Sequence, residues 1–200
     1  MNTSTKTLPE TYTQSGEIGL KNNKRLAITL NIVSFFVGVL SLFLLFILAT
    51  WLRPSFMDTS GAIATGGMVV LIGAGVMLFP IHELIHGVFF WVFTRSRPFF
   101  AFRLFYACAG APDWYIPNRQ YIIVALGPLV IIDAVGVLFL LLAPVSWVLS
   151  IAIILALNNG GSAGDLLVIT RLFKLSPTSL ANDTGDVLTF YENQSANSHP

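Results

Sequence analysis

Phe79-Pro80-Ile81-His82-Glu83-Leu84-Ile85-His86-Gly87 lies inside a long apolar run, where two imidazoles and a carboxylate need a reason to exist. On a helix, His82 and His86 are four residues apart and share one face, so both rings can reach one metal ion. Glu83 stands one position round, outside that pair but close enough to polarise a metal-bound water. Whether the rest of the chain supplies what such a site needs depends on what kind of chain surrounds it.

The 200 residues are 54% hydrophobic and only 10% charged. A soluble domain carries about 25% charged residues, so this composition predicts an integral membrane protein. The single cysteine, Cys108, excludes an intrachain disulfide and any multi-cysteine metal site. A net charge of +1 with no clustered basic face gives no reason to expect nucleic acid as a partner. The expected partner is the lipid bilayer.

Outward from the motif, the uncharged stretch 59–81 leads into the histidines and continues through Val88–Phe93, with Pro80 removing a backbone donor just before them. Upstream, Leu26–Leu52 is uncharged and longer than the roughly 20 residues a bilayer crossing requires. It reads as an anchor that stays in place rather than a cleaved signal. Downstream, 99–117 is too interrupted by Gly110, Pro112 and Pro117 to cross. Phe100–Ala107 is expected as a strand, Ala109–Asp113 as its turn and Trp114–Ile116 as the return. Arg119–Ala143 is a third span, and Val145–Phe173 a fourth, broken at Asn158-Asn159-Gly160-Gly161-Ser162. The predicted fold class is therefore an all-α membrane protein with about four transmembrane helices and a short β-hairpin between the second and third. Residues 1–25 are read as a polar, mobile tail, 26–175 as the membrane-embedded domain and 176–200 as a polar C-terminal tail.

Ten of the eleven basic residues fall on one side of these spans, and only Arg53 on the other. By the positive-inside rule both termini are expected in the cytoplasm, and the setting expected is a bacterial plasma membrane.

Two histidines alone do not make a catalytic zinc site. His199, in the polar tail, is a poor third ligand, which leaves the ionisable residues within the spans, Asp133 and Asp165. At a rise of ~1.5 Å per residue, His82 and His86 lie roughly 12–18 Å from the cytoplasmic end of their helix, Asp165 roughly 9–14 Å and Asp133 about 21 Å. Depth favours Asp165 as the third ligand, and leaves Asp133 as a polar anchor or as a partner behind a ligand histidine. Gly127-Pro128, roughly 12–14 Å in, and the Asn-Asn-Gly-Gly break put backbone irregularities at the same level. Such irregularities are tolerated only when buried in protein or lining a wet cavity.

His82-Glu83-Leu84-Ile85-His86, then Leu126-Gly127-Pro128-Leu129, then Asn158/Asn159 followed by Gly164-Asp165 resembles the site-2 protease family of intramembrane zinc metalloproteases. Within that likeness, the chain is most similar to the small bacterial Putative zincin peptidase family. The resemblance covers roughly 68–175. It implies His82, His86 and Asp165 as Zn²⁺ ligands, Glu83 as the catalytic carboxylate, and Asn158 or Asn159 as a polar contact to substrate or oxyanion. The chain departs from the protease pattern in two places: Leu166 follows Asp165 where Gly is usual, and no proline stands between the asparagines and Asp165.

The function expected is thus a zinc metallopeptidase hydrolysing peptide bonds of a peptide or membrane protein within or next to the bilayer. Glu83 would activate a water on the metal. The alternative is a non-catalytic membrane protein that binds metal or a partner through a peptidase-like pocket.

Overall fold

The computed structural model describes residues 3–19, 23–56, 65–102 and 107–194. In chain order the elements are β1 (Tyr12–Gly19), α1 (Lys24–Leu52), α2 (Thr65–Thr94), β2 (Phe99–Phe102), β3 (Ala107–Gly110), β4 (Ile116–Pro117), α3 (Asn118–Leu142), α4 (Val148–Gly161), α5 (Ala163–Leu172), β5 (Leu180–Asp183) and β6 (Val187–Asn193). The chain is mostly helical, with a small antiparallel sheet.

Among the described residues, three helices, α1, α2 and α3, are long and apolar enough to cross a membrane. The pair α4–α5, bent by 43° at Ser162, adds a fourth if it counts as one span. At 29 residues α1 is roughly 43 Å long, more than the ~30 Å hydrocarbon thickness. Its outer face carries exposed Phe35, Phe36, Phe43 and Leu44, side chains that suit lipid rather than water.

The contacts divide the chain into two compact units. One comprises residues 28–82 and 128–164. Its core gathers Leu140, Val148, Ile151 and Leu155 around Ala49 and Phe56. Here α1 and α4 come together through glycine: a Cβ on Gly160 would stand 2.8 Å from the Ser34 carbonyl oxygen. Small residues permit that backbone approach in membrane helices, and Asn159 Nδ2 donates to Ser41 Oγ at 2.7 Å in the same place. Arg53 donates to the carbonyls of Leu140, Leu141 and Ala143 at 2.7–3.1 Å. Arg53 thus caps the C-terminus of α3, where orphan carbonyls and the helix dipole favour a cation.

The other unit comprises residues 1–27, 83–127 and 165–200. It holds a four-stranded antiparallel sheet in the order β1-β6-β5-β4 and the separate hairpin β2-β3. Its core contains Phe90, Ile116, Tyr121, Val124, Ile169, Leu172 and Phe190.

Three expectations are corrected here. First, the polar segments at both ends are not bare tails: β1 pairs with β6 from Tyr12↔Asn193 to Gly19↔Val187, with a bulge between Gln14 and Gly16. Leu188 and Phe190 are buried on alternate positions of β6. That two-residue period buries an apolar face even though the segment's overall composition is polar. Second, the hairpin has a different register. Phe99 pairs with Gly110 and Phe102 with Ala107, and residues 103–106 between the strands lie outside the described residues. Gly110 lies in β3, and because a Cβ there would stand 2.8 Å from the Gly185 amide nitrogen, its role is close approach rather than turning. Ile116-Pro117 is indeed extended, but it pairs with β5. Third, the break in the fourth helical segment is narrower than expected. Asn158 to Gly161 remain helical, and the interruption falls at Ser162, whose N–H and Oγ both donate to the Asn158 carbonyl.

Candidate metal centre

Helix α2 runs unbroken through Pro80 and carries His82, Glu83 and His86, with the two histidines one turn apart on the same face. His86 is buried, and its Nδ1 lies 2.9 Å from the Val124 carbonyl oxygen. That carbonyl is available for a definite reason. In a helix, Val124 C=O would accept from the N–H of residue 128, but residue 128 is proline and has none. Since a carbonyl can only accept, His86 Nδ1 carries the hydrogen, which leaves Nε2 as the nitrogen that could face a metal. The neighbouring Gly127 has a separate role: a Cβ there would fall 2.3 Å from the Phe89 ring. The Gly-Pro pair therefore lets α2 pack closely and supplies the acceptor that sets the ring of His86.

Asp165 lies in the first turn of α5, just past the Ser162 break, where the helix dipole favours a carboxylate. Its Oδ1 is 3.4 Å from His86 Nε2. One helical turn before His86, His82 completes a group in which the ligand atoms of His82, His86 and Asp165 all lie within 4.8 Å of one another. The donor set suits zinc. Bonds of about 2.0–2.2 Å place two tetrahedral ligands roughly 3.3–3.5 Å apart, which is the His86–Asp165 separation. Two imidazoles and one carboxylate also leave a position for water, as catalytic zinc sites do. In a metal-free protein the same separation would serve an imidazolium–carboxylate pair.

Glu83 is held in a way the sequence did not suggest. Its Oε2 accepts the backbone N–H of Ala109, in β3, at 2.8 Å. The hairpin is seated against α2 immediately beyond the site, since a Cβ on Gly87 would lie 2.2 Å from the ring of Phe100. No pattern of polar residues could reveal this contact, because the donor is a main-chain amide.

The two asparagines both reach Asp133, but their other contacts differ. Asn158 is 1% exposed, with Oδ1 3.2 Å from His82 Nδ1 and Nδ2 donating to Asp133 Oδ1 at 3.3 Å. Asn159 faces Ser41 on α1. Asp133 is therefore joined to the histidine motif through Asn158. His199 lies outside the described residues.

Two groups near the hairpin are displaced in pKa. Burial, and then the nearby Glu83 carboxylate, push the Cys108 thiol up, so it is a neutral thiol at physiological pH rather than a thiolate ligand. Burial likewise raises the carboxyl of Asp183, outweighing the hydrogen bonds it accepts from Tyr121 Oη and the Gly185 amide.

The protein is mostly helical, with helices fit to cross a membrane and a His-His-Asp cluster that could hold a metal. Residues 75–180, just over half of the chain, match the family described as Putative zincin peptidase, and the chain belongs to that family. The family implies zinc. No curated protein and no solved structure matches the chain.

The role read for Pro128 can be tested directly. Pro128→Ala returns an N–H to compete for the Val124 carbonyl, while alanine is at least as compatible with the helix. Loss of an outer hydrogen bond to a ligand histidine costs 10- to 100-fold in metal affinity. Competition with a chromophoric chelator should show zinc binding weaker by about tenfold, with no loss of helix content. Unchanged affinity would remove Pro128 from the account of the site.

Proposed function

We propose that the chain is a membrane-embedded zinc metallopeptidase of the site-2 protease type, hydrolysing peptide bonds of a peptide or membrane protein within or next to the bilayer. The observation that carries this reading is the convergence of His82, His86 and Asp165 with Glu83 adjacent on the same helix. Zinc, when bound, supplies a Lewis acid that lowers the pKa of water and polarises the scissile carbonyl. The histidines and Asp165 hold it. Glu83, with Oε2 held by the Ala109 amide, would take a proton from the attacking water and return it to the leaving nitrogen. The apolar lengths of α1, α2 and α3 support placement in a bilayer, and the excess of basic residues on one side supports cytoplasmic termini.

The test is cleavage by the purified chain in detergent or vesicles, using a panel of membrane-protein and peptide substrates. Chelation should abolish cleavage, and stoichiometric zinc should restore it. A second reading, a non-catalytic metal-binding membrane protein, draws on the engagement of Glu83 by Ala109. It requires that Glu83→Gln leave the cellular role intact.

A further inference from the structure

We propose that Asp133 and Asn158 form a positioning relay that presets the ring of His82 for metal binding. The three side chains form a line: Asp133 Oδ1 to Asn158 Nδ2 at 3.3 Å, then Asn158 Oδ1 to His82 Nδ1 at 3.2 Å. The order of donors and acceptors follows from chemistry. A carboxylate only accepts, so the amide must turn its NH₂ toward Asp133 and its oxygen toward His82. That oxygen only accepts, so His82 Nδ1 carries the hydrogen and Nε2 is left with the lone pair that binds a metal.

The placement of Asn158 fits this role better than direct contact with a substrate. The residue is 1% exposed, and both ends of its amide are used. Its backbone is fixed as well, because Ser162 N–H and Oγ both donate to its carbonyl at 2.9 Å. The helix break at Ser162 thus does two things: it starts α5, with Asp165 in the first turn, and it locks the residue that orients His82. His86 reaches the same tautomer by a different route, through the carbonyl that Pro128 frees. An aspartate in an apolar helix is costly, and the relay gives Asp133 a reason to be kept.

The inference rests on His82 being a ligand, so its test reads the ring as well as the metal. In the zinc-free protein, imidazole ¹⁵N shifts should show His82 as the Nδ1–H tautomer, and Asn158→Leu or Asp133→Leu should move it toward Nε2–H. Each variant should weaken zinc binding by about 10- to 100-fold. The double variant should be no worse than the weaker single, because the two residues act in series. Asp133→Asn, which keeps an acceptor, should lose less than Asp133→Leu. Wild-type His82 protonated on Nε2 would overturn the relay. So would zinc affinity unchanged in folded variants, or losses that simply add. Absence of zinc from wild type would instead defeat the metallopeptidase reading, and the tautomer would still judge the relay. If the leucine variants fail to fold, the wild-type tautomer and Asp133→Asn decide.

Discussion

Purified wild-type chain should carry one zinc per molecule, and Asp165→Ala should carry almost none under the same conditions. Asp165 is the only anionic member of the ligand group. Removing one partner from a poorly solvated charged pair costs about 3–5 kcal/mol, which is roughly a 100- to 4,000-fold loss of affinity. Metal analysis after dialysis, with affinity by chelator competition, gives the result. Asp165→Asn separates charge from shape: it keeps an oxygen donor at the same place and should also fall far below wild type. Full zinc content in Asp165→Ala would mean that the 3.4 Å contact with His86 is only an ion pair, and the search for a third ligand would reopen.

Glu83→Gln should keep its zinc and lose peptide hydrolysis by 10²- to 10⁴-fold, the usual contribution of a positioned general base. The substitution is informative because of the hairpin. A glutamine carbonyl can still accept the Ala109 N–H that Oε2 accepts now, so β3 stays in place while the proton acceptor is lost. Glu83→Ala removes both and should also lower the thermal midpoint. Turnover unchanged in Glu83→Gln would refute the assignment of Glu83 as base. Lost zinc in that variant would show instead that Glu83 helps build the metal site.

The helical part of the fold was legible because it rests on length and apolarity alone: a run such as Leu26–Leu52 has few other stable forms in a chain so poor in charge. Asp165 was legible because depth along a helix is a linear count from the residue number. The sheet was hidden for the opposite reason. Tyr12–Gly19 is a polar segment with little strand propensity of its own, and it is extended because β6, far along the chain, pairs with it. The Ala109 contact with Glu83 was equally invisible, since every residue has a main-chain amide. Asn158 was noticed, but its partners, His82 and Asp133, come from two other helices, and local sequence does not specify contacts across helices.

The pairing of β1 with β6 also dictates when this protein can mature. Residues 12–19 precede helices α1 to α5 in the chain, and the strand they pair with follows those helices. Contacts this remote in sequence form slowly. Asp165 is itself synthesised late, shortly before β5 and β6. Until β6 has formed, residues 12–19 lack the strand they pair with. Strand β1 touches the sheet only through β6, so it can join the sheet only once β6 is in place.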